Sequence, residues 1–439
     1  LKIKMDRKYS NEITSKDNGK SVTVAGWVHD IRDLGNLRFL LIRDRTGIIQ
    51  VTIIKKYVPE KVFKTSGKVS KESVVKIEGK IKTEKKAPGG YEIIPSMIEV
   101  LSYADSPLPL DPTGKISANM DTRLDNRVID LRREEIRGIF KIRNAAIEGG
   151  RKYLQSERFI EIHSPRIIST SSEGGTELFP IAYFEKEAFL AQSPQLYKQM
   201  MMSTGLDRVY EIATYFRAEE HKTIWHLNEI TAIDCEMAFI KNEENILRVI
   251  ENLISSMVKE VVEKTANELD KINNKIEVPS IPFVRIQYDE ALQILEKNGM
   301  NPTWGEDLTT EHEKKIGEVM EDNGHELYFI TKYPLKIKPF YTMPSEEPKY
   351  SNSFDLVFKG REIISGSQRI HDYNLLIKRI KEKKLNPSNF KFYLDAFKFG
   401  MPPHGGFGLG IERFVTLLLN LPNIREAVLF PRDRKRLDP

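Results

Sequence analysis

The chain has 439 residues, 40% of them hydrophobic and 30% charged, the composition of a soluble globular protein long enough for two or three domains. No run approaches the roughly 18 apolar residues needed to span a bilayer, and LKIKMDRKYS at the start lacks a signal-peptide core. The single cysteine, Cys235, excludes an internal disulfide or a multi-cysteine metal site, so a cytoplasmic protein is expected. The net charge of +5 is unevenly spread: Leu1–Leu101 carries 21 Lys+Arg against 12 Asp+Glu, and the remainder 47 against 51. A basic first module on a slightly acidic body suggests that the first part meets a polyanion, although a lysine-rich solvated surface has the same arithmetic.

From about Ser21 to Val100 the pattern is all-β. SVTVAGWVHDIRD, LRFLLIRDRTGIIQVTII, SVVKIEGKIKTE and YEIIPSMIEVLS are strand-like runs punctuated by Gly, Asn and Pro. About five short strands suggest a small barrel of OB type, with helical character in PEKVFKTSGKVSKES. SPLPLDPTGK (106–115) marks a linker. From Asp130 the period changes: LRREEIRGIFKIRNAAIEGGRKYLQSERF predicts a long helix, followed by FIEIHSPRI, a strand ending at Pro165. YEIATYFRAEEHKTIWHLNEITAIDCEM then alternates apolar and charged residues on both sides of a loop and predicts a hairpin. ENILRVIENLISSMVKEVVEK predicts a helix, and glycine-rich strand–helix elements close the chain. The fold class expected is α+β: an N-terminal OB-fold barrel (1–103), a hinge (104–130) and an antiparallel sheet flanked by helices (131–439).

Two stretches hold chemistry-bearing residues. GGFGLGIERFVTLLLNL spaces glycines before a helix that has Arg413 on its first turn, but it lacks the lysine and hydroxyl of a phosphate loop. In SFDLVFKGREIISGSQRIHD, Asp355 and Glu362 lie on strand-like segments before a Ser-Gly-Ser turn carrying Arg369. Carboxylates with a hydroxyl nearby suit Mg²⁺ bridging phosphates, and the guanidinium fork suits a carboxylate. Ordinary surface ion pairs would look the same in sequence.

With FLAQSPQLYKQMMMSTGLDRVYEIATYFRAE these pieces connect, and the chain resembles a class II aminoacyl-tRNA synthetase of subclass b, of the archaeal/eukaryotic aspartyl type. Motif 1 resembles the long helix and strand to Pro165 (about 136–166). Motif 2 resembles FRAEEHKTIWHLNE within about 210–239, and motif 3 resembles GFGLGIERF within about 405–421. The resemblance implies ATP-dependent activation of aspartate and its transfer to tRNA-Asp by a homodimer whose interface approaches Pro165. It implies that Arg217 holds the α-phosphate and that Arg413 stacks on the adenine and touches the γ-phosphate. Glu219 lies near the adenine amino group, His226 near the terminal phosphates and Gly410 in the ATP site, while Asp355, Glu362 and Ser365 hold Mg²⁺. Ile230 takes the place of an aromatic that lies under adenine in relatives.

For the amino acid, the resemblance implies Glu173, Gln192, Gln195, Lys198, Asp234, Ser365 and Arg369. Two cations facing one carboxylate then favour an anionic side chain over asparagine. For the anticodon it implies Phe39, Gln50 and Glu78, with His29 and Pro88 matching a pair taken to mark restriction to tRNA-Asp. Rival expectations are an asparaginyl enzyme, an aspartyl enzyme that charges tRNA-Asn as well, an asparagine synthetase, and a catalytically dead relative. The OB-like module and the intact Arg217, Glu362, Ser365 and Arg413 argue against the last two.

Overall fold

A computed structural model describes residues 7–169, 177–219 and 223–439. The chain forms two compact units, Leu1–Arg133 and Glu134–Pro439. In the first, β1 (Ser21–Asp33), β2 (Leu37–Arg43), β3 (Ile48–Ile54), β4 (Val74–Thr83) and β5 (Tyr91–Ser102) close a barrel in the order β1-β2-β3-β5-β4. Alternation drives this: Val22, Val24 and Val28 of β1, Leu40 and Ile42 of β2, and Ile49, Val51 and Ile53 of β3 fill one interior cluster. Helical structure in PEKVFKTSGKVSKES is confined to Glu60–Ser66, since the chain stops at Gly67 and re-enters the barrel through Glu72 at positive φ.

The second unit has an eight-stranded sheet. Its strands are β6 (Ile160–Glu161), β10 (Arg208–Phe216), β11 (Glu229–Ala238), β12 (Val284–Gln287), β13 (Leu327–Thr331), β14 (Ser353–Phe358), β15 (Arg361–Arg369) and β16 (His404–Gly410). They run in the order β12-β13-β14-β15-β16-β11-β10-β6, antiparallel except at β12–β13 and β10–β6. A small sheet of β7 (Ile167–Ile168), β8 (Pro180–Tyr183) and β9 (Lys186–Leu190) stands apart. The helix Glu134–Ser156 packs on the helix Glu244–Lys264 at Gly149, where a Cβ would come within 2.7 Å of the Ser256 carbonyl. Together they bury Ile142, Ala146, Leu253 and Met257 against the sheet. Cys235 is in this core, and burial pushes its thiol well above the usual range. Among the described residues no helix is long and apolar enough to cross a membrane.

Two expectations need correction. Ser365-Gly366-Ser367 is not a turn but the middle of β15; Gly366 is there because a Cβ would strike the Phe354 ring at 2.6 Å and the Gly406 carbonyl at 2.7 Å. The strand expected to end at Pro165 is only Ile160–Glu161. Beyond it Glu211 takes over, accepting from Ser164 N (2.7 Å), Ser164 Oγ (2.8 Å) and Arg166 Nη2 (2.5 Å), and Pro165 between them is exposed.

Candidate active site

One cavity of about 350 Å³ in the second unit is lined from the helix Gln195–Met201, β10, β11, β15, β16 and the helix Ile411–Leu418. The structure brings to it Gln192, Gln195, Lys198, Arg217, Glu219, His226, Ile230, Asp234, Glu362, Ser365, Arg369, Gly410 and Arg413. Asp355 is on β14 directly opposite Ser365. Glu173 lies outside the described residues.

The floor of the cavity is a buried set of charges. Lys198 Nζ donates to Asp234 Oδ1 and to the Phe407 carbonyl, each at 2.9 Å, and stands 3.7 Å from Glu236. Arg369 donates through Nε (3.0 Å) and Nη2 (3.3 Å) to the two oxygens of Glu236, and through Nη1 to Ser367 Oγ at 2.8 Å. Its guanidinium lies 5.3 Å from the Tyr341 ring centroid. All four charged side chains are nearly inaccessible. The expectation of two cations against one carboxylate is therefore corrected: Glu236 makes the count two against two. What remains for a ligand is the third ammonium N–H of Lys198, which has Glu236 at 3.7 Å and no hydrogen-bond acceptor among the described residues.

The glycines of β16 make room for this floor. A Cβ on Gly406 would lie 2.0 Å from the Cys235 carbonyl and 2.3 Å from Glu236 Oε2, and one on Gly408 would lie 3.1 Å from Asp234 Oδ1. Close approach, not a phosphate loop, is the reason for the GGFGLG spacing. Beside the floor, Arg369 Nη2 reaches Gln195 Oε1 (3.4 Å), Gln195 Nε2 donates to Gln199 Oε1 (2.9 Å), and Gln199 Nε2 contacts His404 Nε2 (3.1 Å). An amide nitrogen can only donate, so His404 Nε2 accepts and its Nδ1–H donates to the Pro402 carbonyl at 2.9 Å. Burial lowers the pKa of this imidazole to about 4 and keeps it neutral.

The other end of the cavity is cationic and more open. Arg217 is 3.8 Å from Glu219 and 42% exposed; His226 Nε2 is 3.6 Å from the same carboxylate. Asn228 braces the hairpin by donating to the Arg217 (2.7 Å) and Glu219 (3.2 Å) carbonyls. Arg413 Nη1 donates to the Glu362 carbonyl at 2.8 Å and stands 3.8 Å from its carboxylate. Burial and the neighbouring Asp355 charge push Glu362 above the usual carboxylate range. Lys338 donates to Asp355 Oδ2 at 3.0 Å, while Asp355 Oδ1 is buried with no hydrogen-bond partner. Two neighbouring carboxylates, one with an orphaned oxygen, fit a hard cation. Glu313, from the helix Thr310–Asp322, is also near, pushed up to about 8 by burial and by the Glu362 charge.

Sequence reasoning missed Glu236 and Glu412. Glu236 stands two residues after Asp234 on a strand, which puts both on one face. Glu412 is buried, accepting from Arg143 Nη2 (2.7 Å) of the long helix and from Thr231 N (2.9 Å) of β11, so one carboxylate joins the three motif segments.

In the first unit, Phe39 is half-buried on the outside of β2 and absent from the barrel core; its register partner is Thr52. Gln50, on the same face, donates to Thr52 Oγ1 (3.2 Å) and Glu92 Oε2 (3.1 Å). Glu78 lies on β4 beside Lys76, lining a separate groove with Tyr57; no described contact joins it to Phe39 or Gln50. His29 Nδ1 accepts from Arg43 Nη1 at 2.9 Å, and burial and that guanidinium lower its pKa. Arg43 is itself held by Glu72 (2.7 Å) and pairs in register with Ile48 of β3, the strand on which the turn Pro88–Gly90 packs; Pro88 is exposed.

Comparison with known proteins identifies both units. Residues 119–434 match the class II tRNA synthetases (D, K and N), and residues 22–101 match the OB-fold nucleic acid binding domain. The aspartate–tRNA(Asp) ligase of Pyrococcus furiosus is 56% identical over 433 residues, covering 98% of this chain and 99% of the relative. The aspartate–tRNA(Asp/Asn) ligase of Methanopyrus kandleri is 51% identical over 431 residues, covering 98% and 99%. Among solved structures, asparaginyl-tRNA synthetase from Pyrococcus horikoshii complexed with asparaginyl-adenylate superposes with a TM-score of 0.92 at 35% identity, covering 99% of this chain and all of that one. Aspartyl-tRNA synthetase from Entamoeba histolytica does so with 0.88 at 34%, covering 99% and 93%. The chain belongs to the class II tRNA synthetases of the D, K and N group, with an OB-fold module preceding the synthetase fold.

Proposed function

We propose that the chain is an aspartate–tRNA ligase that forms aspartyl-adenylate from L-aspartate and ATP and transfers the aspartyl group to the 3′ end of tRNA-Asp. The observation that carries this reading is a single cavity with a buried Lys198 floor at one end and Arg217 with Arg413 at the other. Lys198 meets the substrate's side-chain carboxylate with its free N–H, held in place by Asp234, while Glu236 keeps Arg369 oriented. An asparagine amide offers the ammonium no charge in return for its desolvation. Glu173 meets the substrate ammonium, and Gln192 and Gln195 complete the polar lining.

In the first step the aspartate α-carboxylate attacks the α-phosphorus and pyrophosphate leaves with the bonding pair. Positioning and cations aimed at developing charge suffice; no side-chain nucleophile is needed. Arg217 faces the α-phosphate, and Glu219 reads the adenine amino group with Ile230 as an aliphatic contact. Gly410 allows close backbone approach, while Arg413 and His226 face the outer phosphates. Asp355, Glu362 and Ser365 would hold Mg²⁺, which when bound offsets phosphate charge. In the second step the terminal ribose hydroxyl of the tRNA attacks the adenylate carbonyl and AMP leaves.

The barrel reads the anticodon, with Phe39 stacking on a base and Gln50 and Glu78 meeting base edges. Restriction to tRNA-Asp, expected from His29 and Pro88, competes with a wider reading favoured by the Asp/Asn names of relatives at 50–51% identity. The chain acts as a homodimer approached at Pro165. A particle of 50.7 kDa in sedimentation, rather than twice that mass, would exclude the dimer.

ATP–pyrophosphate exchange with aspartate and with asparagine, followed by charging of both tRNA transcripts, tests the function. Absence of aspartate-dependent exchange would overturn it. Comparable charging of tRNA-Asn selects the wider reading.

A further inference from the structure

We propose that Arg361 is a positioning residue for the nucleotide: clasped between Trp225 and Glu313, it fixes the Trp225 indole as the wall of the ATP end of the cavity. This rests on the reading of that end as the ATP site. The Arg361 guanidinium carbon lies 5.3 Å from the Trp225 ring centroid, and its Nη1 is 3.7 Å from Glu313 Oε2. Trp225 lines the cavity together with Glu219, His226, Glu362 and Arg413, and its other contacts reach the central core. Its backbone N–H donates to Thr223 Oγ1 at 3.1 Å, so this part of the loop between β10 and β11 already has a local anchor.

Three elements meet at Arg361. The residue opens β15 immediately before Glu362 and follows the turn at Gly360, which adopts φ +66°. The helix Thr310–Asp322 seats on that turn backbone to backbone: a Cβ on Gly317 would lie 2.3 Å from the Gly360 Cα. Glu313 is four residues before Gly317, hence on the same helix face, and the close seam aims its carboxyl at Arg361. A planar guanidinium can cover an aromatic ring with its face while its edge meets a carboxyl; a lysine ammonium cannot do both. Arg361 and Glu313 side chains are about one-fifth exposed, so water has limited access to the clasp.

The test uses the full chain and ATP–pyrophosphate exchange at saturating aspartate. Arg361→Ala raises the KM for ATP about tenfold, within the span of a half-buried cation–π contact, while kcat and the KM for aspartate stay within about twofold of the parent. Arg361→Lys recovers only part of the loss. Glu313→Ala weakens ATP in the same direction by less. In a Trp225→Ala background the Arg361 substitution adds nothing. An ATP KM for Arg361→Ala within twofold of the parent, or effects that multiply in the double variant, would overturn the proposal. A second readout does not need catalysis: with Trp27 and Trp304 replaced by phenylalanine, acrylamide quenching of Trp225 in the ligand-free protein at least doubles on Arg361→Ala. Unchanged quenching rejects the clasp. If the parent chain shows no exchange, the ATP reading fails, and quenching alone decides whether Arg361 holds Trp225.

Discussion

The floor of the cavity and the cationic end proposed to hold the phosphates contain the same kinds of side chain under opposite conditions. Lys198, Asp234, Glu236 and Arg369 are buried and use most of their hydrogen-bonding capacity on one another. Arg217 and Arg413 stand partly in solvent, each 3.8 Å from a carboxylate, that of Glu219 and that of Glu362. A buried quartet is pre-organised and supports the fold around it; a half-exposed pair is free to exchange its partner for a phosphate. Substitutions at the floor should therefore cost folding and function together, whereas those at the phosphate end should separate them.

The largest effect is expected at Glu236. Glu236→Ala removes both carboxylate acceptors of Arg369, leaving its guanidinium in the interior with only the neutral acceptors Ser367 Oγ and Gln195 Oε1, which costs about 3–5 kcal/mol. Chemical denaturation of the second unit's transition should shift accordingly, with loss of aspartate-dependent exchange. A variant as stable as the parent would show that Arg369 finds another partner and that the floor is not a unit. At the phosphate end, Arg217→Ala should lower kcat of exchange by about 10²–10³-fold, the usual cost of losing a donor aimed at developing charge. Its stability should remain within about 0.5 kcal/mol, because an exposed side chain away from the core is removed. Equal damage to stability would erase the contrast between the two ends.

His404 sharpens the comparison through pH. Its pKa is about 4 in the folded chain against 6.5 for the free group. Between those values the unfolded state binds a proton that the folded state refuses. The stability contributed by the neutral imidazole is therefore complete above pH 6.5 and lost as pH falls toward 4. At pH 5 the loss is about 2 kcal/mol. Urea midpoints for the parent and for His404→Asn at pH 7 and pH 5 measure it: the variant starts lower at pH 7 and falls less steeply. Parallel slopes would mean that the imidazole titrates elsewhere.

These side chains also show where sequence stops informing. The bounds of β1 and β5 and the helix Glu244–Lys264 coincide with the runs read from residue periodicity, because each buries one face and the period records it. Gly366 was misread as turn punctuation; its reason is the Phe354 ring on the neighbouring strand β14, which no local window contains. Glu236 had a local signal, the two-residue step from Asp234, yet its partner Arg369 is 133 positions away. Arg361 and Glu313 had none: their relation exists only because Gly317 meets Gly360. The resemblance supplied candidate roles for the residues around the cavity, but not the second carboxylate that balances its floor.

The smallest effect is expected in the barrel, where the contrast takes another form. Phe39 is outside the core cluster and Leu40 inside it, one residue apart on β2. Removing the outer ring should leave the barrel fold nearly untouched, while truncating Leu40 opens a cavity in the core. Base–aromatic stacking is worth about 1–3 kcal/mol per base, so Phe39→Ala should raise the KM for tRNA-Asp by roughly ten- to a hundredfold. Because amino-acid activation takes place in the other unit, aspartate-dependent ATP–pyrophosphate exchange should be unchanged. Charging kinetics across a series of tRNA concentrations, run beside exchange on the same preparation, separate the two. A fall in exchange equal to the fall in charging would show that Phe39 supports the fold and does not bind tRNA. A loss confined to tRNA saturation would place anticodon recognition on the β2–β3 face, where Phe39, Thr52 and Gln50 lie side by side.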